Sequence, residues 1–225
     1  MLELVARKLG ELNDKIVYLG GCATALFISD PLSLDVRPTL DVDCIIDIAS
    51  IGQYHNLAKA LHAKGFRQSM EDAIICRWHY DDIILDVMPT NEKILGFGNI
   101  WFKEALDNSV AHNVFTDLII KSVTAPYFLA TKIEAFIERG NNDFFASHDF
   151  EDLITVIAGR IEIIAEIAAS NNSLKKYLKE KFINFTQDNQ FELALPGHVN
   201  DGPITMQRVQ TVQQRINAII AIVSE

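Results

Sequence analysis

Two aspartates one residue apart, Asp41 and Asp43, head the alternating run DVDCIIDI, and upstream two glycines, Gly20 and Gly21, close the apolar run IVYL. Side chains at i and i+2 of a strand leave the same face. Two carboxylates held that way repel each other unless something positive sits between them, and a divalent cation is the usual answer. Glycines at a strand end let backbone amides approach phosphate. This part of the chain therefore has to contain strands.

The flanking pattern extends that reading. Leu2, Val5, Leu9 and Leu12 stand at helical spacing, and Ile16–Leu19 is a short buried strand. Residues 22–28 suit a short helix, 29–38 a loop, 41–48 a strand, and 50–64 a helix capped by Ser50 and ended by Gly65. The runs 73–79 and 83–88, joined by Tyr80-Asp81-Asp82, predict a hairpin. Residues 101–108 suit a short helix, and 114–123 read as a β-rich run. From Thr124 the pattern is helical: 126–139, 148–158, 160–169, about 174–184 and 203–223. The expected fold class is α+β, an N-terminal α/β part (residues 1–123) followed by a helical region (124–225).

Asp86 sits inside Ile83-Ile84-Leu85-Asp86-Val87-Met88, where a carboxylate is costly to bury without a partner. If its strand lies beside that of Asp41 and Asp43, three carboxylates converge. Such oxygen ligands suit Mg²⁺ or Mn²⁺, which keep waters and take their remaining ligands from substrate phosphates. Two such ions can activate an attacking hydroxyl and steady a departing pyrophosphate. Singly, Asp41 also reads as a turn residue opening a strand, and Asp86 as an outward charge guarding an edge strand.

Composition excludes little but is informative in two places. The chain of 225 residues carries a net charge of −10, so nonspecific adhesion to nucleic acid is not its whole function. The densest basic group, Lys175, Lys176, Lys179 and Lys181, reads as a solvated helix face. The three cysteines, Cys22, Cys44 and Cys76, lie apart in apolar segments, which suggests buried thiols in a reducing compartment. No run is long enough to span a bilayer, and the start does not have the form of a signal peptide, so a cytoplasmic location without membrane contact is expected.

The ordered set Gly20-Gly21, Arg37-x-Thr39-x-Asp41-Val42-Asp43 and Asp86 resembles the DNA polymerase β-type nucleotidyltransferase superfamily. With Lys132 and His148-Asp149-x-x-Asp152 it is similar to the AbiEii/AbiGii toxin-like branch. The resemblance covers about residues 15–160. It departs from the family pattern in Cys22, where a serine or small residue is usual, and in the long interval between Gly21 and Asp41. It implies a mixed sheet carrying a metal site of Asp41, Asp43 and Asp86 with two Mg²⁺ or Mn²⁺ ions. It also implies a nucleoside triphosphate substrate, an RNA or tRNA acceptor, and an antitoxin protein as partner.

The same residues have physical roles in that reading. The amides after Gly20 and Gly21, at a helix start, would receive triphosphate oxygens. Thr24 either adds a hydroxyl or bonds its own backbone. Arg37 and Thr39 either orient the loop before the metal strand or touch phosphate, or else are a solvated loop residue and an ordinary β-former. Lys132 falls inside the apolar stripe Phe128, Leu129, Ile133 and Phe136, so it either snorkels out or faces a negative group such as a triphosphate. Asp149 either pairs with Lys132, binds the nucleotide sugar, or stabilises a helix N-terminus, while Asp152 is expected to point further toward solvent. The alternatives to RNA transfer are transfer to a small hydroxylated molecule, such as an antibiotic, and a silent nucleotide-binding module.

Overall fold

A computed structural model describes residues 1–31, 36–72, 74–115, 117–199 and 202–223. Part of the expected loop 29–38 and Ala73 at the head of the expected hairpin lie outside the described residues. The fold is α+β: a mixed sheet with helices, and a C-terminal helical region. The chain divides into two compact units, Met1–Ala23 with Pro38–Thr124, and Thr24–Arg37 with Ala125–Glu225.

In the sheet unit, α1 (Leu2–Leu9) leads through a 3₁₀ turn into β1 (Ile16–Leu19). After β2 (Asp41–Ile46) come α2 (Ile51–Ala63), β3 (Arg77–Tyr80), β4 (Ile83–Pro89), α3 (Phe102–Asp107), β5 (Val110–Phe115) and β6 (Leu118–Ser122). Ser50 caps α2 by accepting a hydrogen bond from the Gln53 amide. The strand order is β3-β4-β2-β1-β6-β5. The β2–β4 and β1–β6 pairs are parallel; β1–β2, β3–β4 and β5–β6 are antiparallel.

Register decides which residues share a face. Val42, Leu85 and Trp78 form one row across β2, β4 and β3, and each is fully buried. The next row, offset by one residue and so on the other face, is Asp43, Asp86 and Arg77. The apolar row anchors the three strands, and the polar row is thereby turned to the opposite side. At the β3–β4 reversal Asp81 takes φ +49°, a conformation that aspartate tolerates in turns.

The helical unit is built on α4 (Ala125–Glu138), buried on nearly every side from Ala125 to Ile133. Around it run α5 (His148–Gly159), α6 (Ile163–Ala169), α7 (Asn172–Thr186), α8 (Asn189–His198) and α9 (Thr205–Ala221). Phe136, Phe144, Phe150, Phe185 and Phe191 make a connected aromatic core; Phe136–Phe144 centroids lie 5.0 Å apart and Phe144–Phe191 5.7 Å.

Four sequence expectations change. The short helix expected over 22–28 is a 3₁₀ helix, Gly21–Phe27. The β-rich run 114–123 is not one strand: the chain reverses so that Phe115 pairs with Leu118, giving β5 and β6. The helix α8 occupies residues to which the sequence pattern assigns no element; Pro196 and Gly197 fall in its last turn, and buried Phe191 and Leu195 hold the helix in place. The described residues between Thr24 and Arg37 belong with the helical unit rather than with the sheet. Phe27 packs on Phe128 at 4.7 Å, and the amides of Ser29 and Asp30 both donate to the Gly159 carbonyl at the end of α5. No helix among the described residues is long and apolar enough to cross a membrane.

Candidate metal centre

Parallel pairing of β2 with β4 sets Asp43 directly beside Asp86, and the two-residue strand period puts Asp41 on their face. Each of the three carboxylates offers an oxygen within 4.8 Å of the others. Asp86 is buried, while Asp41 and Asp43 are half-exposed, so the cluster is rooted in the sheet and open on one side. The donor set is all carboxylate oxygen, the chemistry that Mg²⁺ and Mn²⁺ prefer. The residues present therefore fit the ion that the sequence reading assigns to them.

Gly20 shapes the same spot. Its φ is +73°, and a Cβ built there would stand 2.0 Å from the Asp43 Oδ2 and 2.8 Å from the Asp43 Cβ. Only glycine leaves room for the carboxylate at that end of β1. Gly21 opens the 3₁₀ helix, where the Ala23 amide donates back to the Gly20 carbonyl at 3.1 Å. The Thr39 hydroxyl donates to the Asp41 carbonyl at 3.2 Å, so Thr39 braces the entry to β2.

Arg77 was not foreseen from the sequence. Its Nε donates to the Asp86 Oδ1 at 2.9 Å and its Nη2 to the Asp86 Oδ2 at 2.7 Å, a two-pronged pair, and Nη2 also lies 4.0 Å from the Asp41 Oδ2. The signal was legible. A two-residue turn at Asp81-Asp82 pairs Tyr80 with Ile83 and, counting back along both strands, Arg77 with Asp86.

The neighbouring thiols are inert. Burial pushes the Cys44 thiol well up, and burial with the Asp86 charge takes Cys76 to about 12, so neither is a thiolate at neutral pH. Cys22 donates to the Leu19 carbonyl at 3.3 Å.

No family model and no curated protein matches the chain. Among solved structures it is similar to the one titled "Crystal structure of JHP933 from Helicobacter pylori", at 13% identity and a TM-score of 0.49, over 97% of this chain and 90% of that one. At that level of similarity no functional argument passes from one chain to the other.

The remaining sequence candidates gather in the helical unit. Lys132, on α4, is buried, and its Nζ donates to the Asp149 Oδ1 at 2.9 Å and the Asp152 Oδ2 at 2.6 Å, both on α5. Burial works against the charged lysine, but Asp152 and Asp149 outweigh it and raise its pKa. Arg139, two helical turns past Lys132, grips both oxygens of Asp149. Burial of Asp149 is likewise outweighed, by Arg139 and Lys132, and its pKa falls to about 2. Arg37 lies 3.5 Å from both Asp152 and Glu151, which makes it an ion-pair member rather than a solvated loop residue. Asp152 was expected to point toward solvent, yet it is 1% exposed. The reason is that Lys132 and Arg37 draw it inward. His148 is exposed and pairs with Glu151.

Thr24 is the odd member. Its hydroxyl is fully buried and has no hydrogen-bond partner among the described residues, so it does not bond its own backbone. The lysine-rich face of α7 is largely engaged within the chain: Lys181 pairs with Glu134, Lys179 donates to the Ile222 carbonyl, and Lys176 lies 4.0 Å from Glu180.

Proposed function

We propose that this protein is a metal-dependent nucleotidyltransferase that moves a nucleoside monophosphate from a nucleoside triphosphate to an acceptor hydroxyl. The observation that carries the reading is the convergence of Asp41, Asp43 and Asp86 on one face of the sheet, within 4.8 Å of one another and rooted by a buried Asp86. Asp41 and Asp43 would hold both ions, and Asp86 would share one of them. Divalent ions bound there supply Lewis-acid activation of the acceptor oxygen and neutralise charge on the departing pyrophosphate. In the transfer the acceptor oxygen bonds to the α-phosphorus, the bond from that phosphorus to the bridging oxygen breaks, and pyrophosphate leaves. The acceptor proton goes to a carboxylate oxygen of Asp86. Gly20 keeps Asp43 in place by leaving its carboxylate room, and Thr39 sets the start of the strand.

Roles for Gly21, Thr24, Arg37, Lys132 and Asp149 toward the triphosphate rest on the family resemblance. So do a tRNA acceptor and an antitoxin partner. The engaged lysines of α7 and the net charge of −10 favour a second acceptor class, a cationic small molecule with a free hydroxyl.

Labelled triphosphates incubated with Mg²⁺ or Mn²⁺ and either total RNA or a panel of small hydroxylated molecules will show the acceptor by where the label appears. Asp43→Ala should lower transfer at least about 10³-fold, equivalent to about 4 kcal/mol of transition-state stabilisation. Full transfer and intact metal binding in that variant would overturn the reading.

A further inference from the structure

Asp86 is the most deeply buried of the three carboxylates, and Arg77 holds both of its oxygens. The same guanidinium nitrogen that donates to Asp86 at 2.7 Å lies 4.0 Å from an oxygen of Asp41. Because the three carboxylates approach within 4.8 Å, an ion held by them would have the Arg77 charge as a close neighbour. Two cations that close compete for the same carboxylates. Arginine suits this place because its planar fork matches a carboxylate and stays charged at every working pH. Cross-strand register, not chance, sets the pair: Arg77 faces Asp86 directly across β3 and β4.

We propose that Arg77 is the resident counter-cation of the acidic site, and that loading a divalent ion is coupled to loosening of Asp86 from the arginine fork. The inference rests on the metal-site reading and adds a regulatory part to it. Without an ion, Arg77 keeps the buried Asp86 paired and lies near Asp41. When an ion arrives, Asp86 exchanges one partner for another, and the freed guanidinium is left beside the site. Arg77 is thus a positioning residue acting through Asp86. Linkage makes the competition reciprocal: whatever the arginine costs the ion in affinity, the ion costs the arginine pair.

Mn²⁺ binding to the full chain, followed by electron paramagnetic resonance of the free ion, tests this in wild type, Arg77→Gln and Arg77→Lys. The Gln variant should bind Mn²⁺ more tightly, on the order of tenfold, although its ion-free melting temperature falls. The Lys variant, which keeps the charge and loses the fork, should lie between. A merely structural arginine would lose stability and ion affinity together, so opposite signs are the decisive readout. Wild-type binding with a folded Gln variant that binds no tighter overturns the proposal and leaves the metal reading standing. No Mn²⁺ binding by any of the three overturns both. Should the Gln variant not fold, the wild-type Arg77 Nε–H nuclear magnetic resonance signal, assigned by its loss in Arg77→Lys, must shift with Mg²⁺ at the ion-binding midpoint. A signal that stays fixed while Mg²⁺ binds sinks the coupling.

Discussion

Each unit of this protein holds a knot of acids, and the two are finished differently. In the helical unit, Asp149 and Asp152 are closed in by Lys132, Arg139 and Arg37, with distances from 2.6 to 3.5 Å. In the sheet unit, Asp41, Asp43 and Asp86 crowd within 4.8 Å, and one arginine fork engages Asp86 while lying 4.0 Å from Asp41. The first arrangement pairs its acids from within the chain and keeps Asp149, Asp152 and Lys132 buried, with Arg139 reaching in from the surface. The second keeps two carboxylates half-exposed beside a buried Asp86. Acid pairs at short sequence spacing mark both, so spacing alone does not say how a cluster of acids is balanced.

Breaking the helical-unit network should have the largest effect on stability. Lys132→Ala leaves two buried carboxylates without their shared partner and should cost about 3–5 kcal/mol, read from chemical denaturation. Lys132→Met combined with Asp152→Leu should recover much of that loss, because an apolar pair of similar size needs no compensation. If Lys132→Ala is nearly neutral, the network is not structural and the contrast with the sheet site fails.

Acid should dissolve the same network in a defined window. The folded pKa of Asp149 is lowered from its ordinary value of 3.8 to about 2, so the folded protein binds this proton less readily than the unfolded chain. Its contribution is therefore fully present above about pH 4 and is lost as pH falls through about 2. A shift of that size corresponds to about 2 kcal/mol. Asp149→Asn should destabilise the protein at pH 7 and flatten its acid limb between about pH 4 and 2 relative to wild type. An unchanged acid limb would contradict the assignment.

The smallest stability change, and the most selective one, is expected at Gly20. Alanine there meets both a φ of +73° and the Asp43 carboxylate, so Gly20→Ala should cost about 1 kcal/mol or somewhat more. It should also push Asp43 aside and weaken Mn²⁺ binding far more than that stability loss implies. Calorimetry with Mn²⁺ on the folded variant checks this, and wild-type affinity would show that the glycine is not shaping an ion site.

Much of this architecture was legible in the chain. The alternation after Asp41, the apolar run around Asp86 and the stripes beyond Thr124 mark local periodicities, and local periodicity is what a sequence displays directly. Arg77 was legible too, through the register implied by the turn at Asp81-Asp82, and so was Arg139, two turns along the face of Lys132. Asp152 was misjudged because helical angle describes a helix in isolation. Its burial comes from Lys132 and Arg37, which reach it from other segments.

By itself, the sequence determined the oxygen-rich chemistry of the Gly20–Asp43 stretch and Asp86, and the change from sheet to helices near residue 124. Only the tertiary structure decided that β2 lies parallel to β4 with Asp43 beside Asp86, that Phe27 and the Ser29–Asp30 backbone pack with the helices, and that Lys132 pairs with Asp149 and Asp152. The physical reason is the range of the interactions. Strand period and turn chemistry act between neighbours in the chain, whereas the pairing of buried charges depends on which distant cation comes within about 3–4 Å.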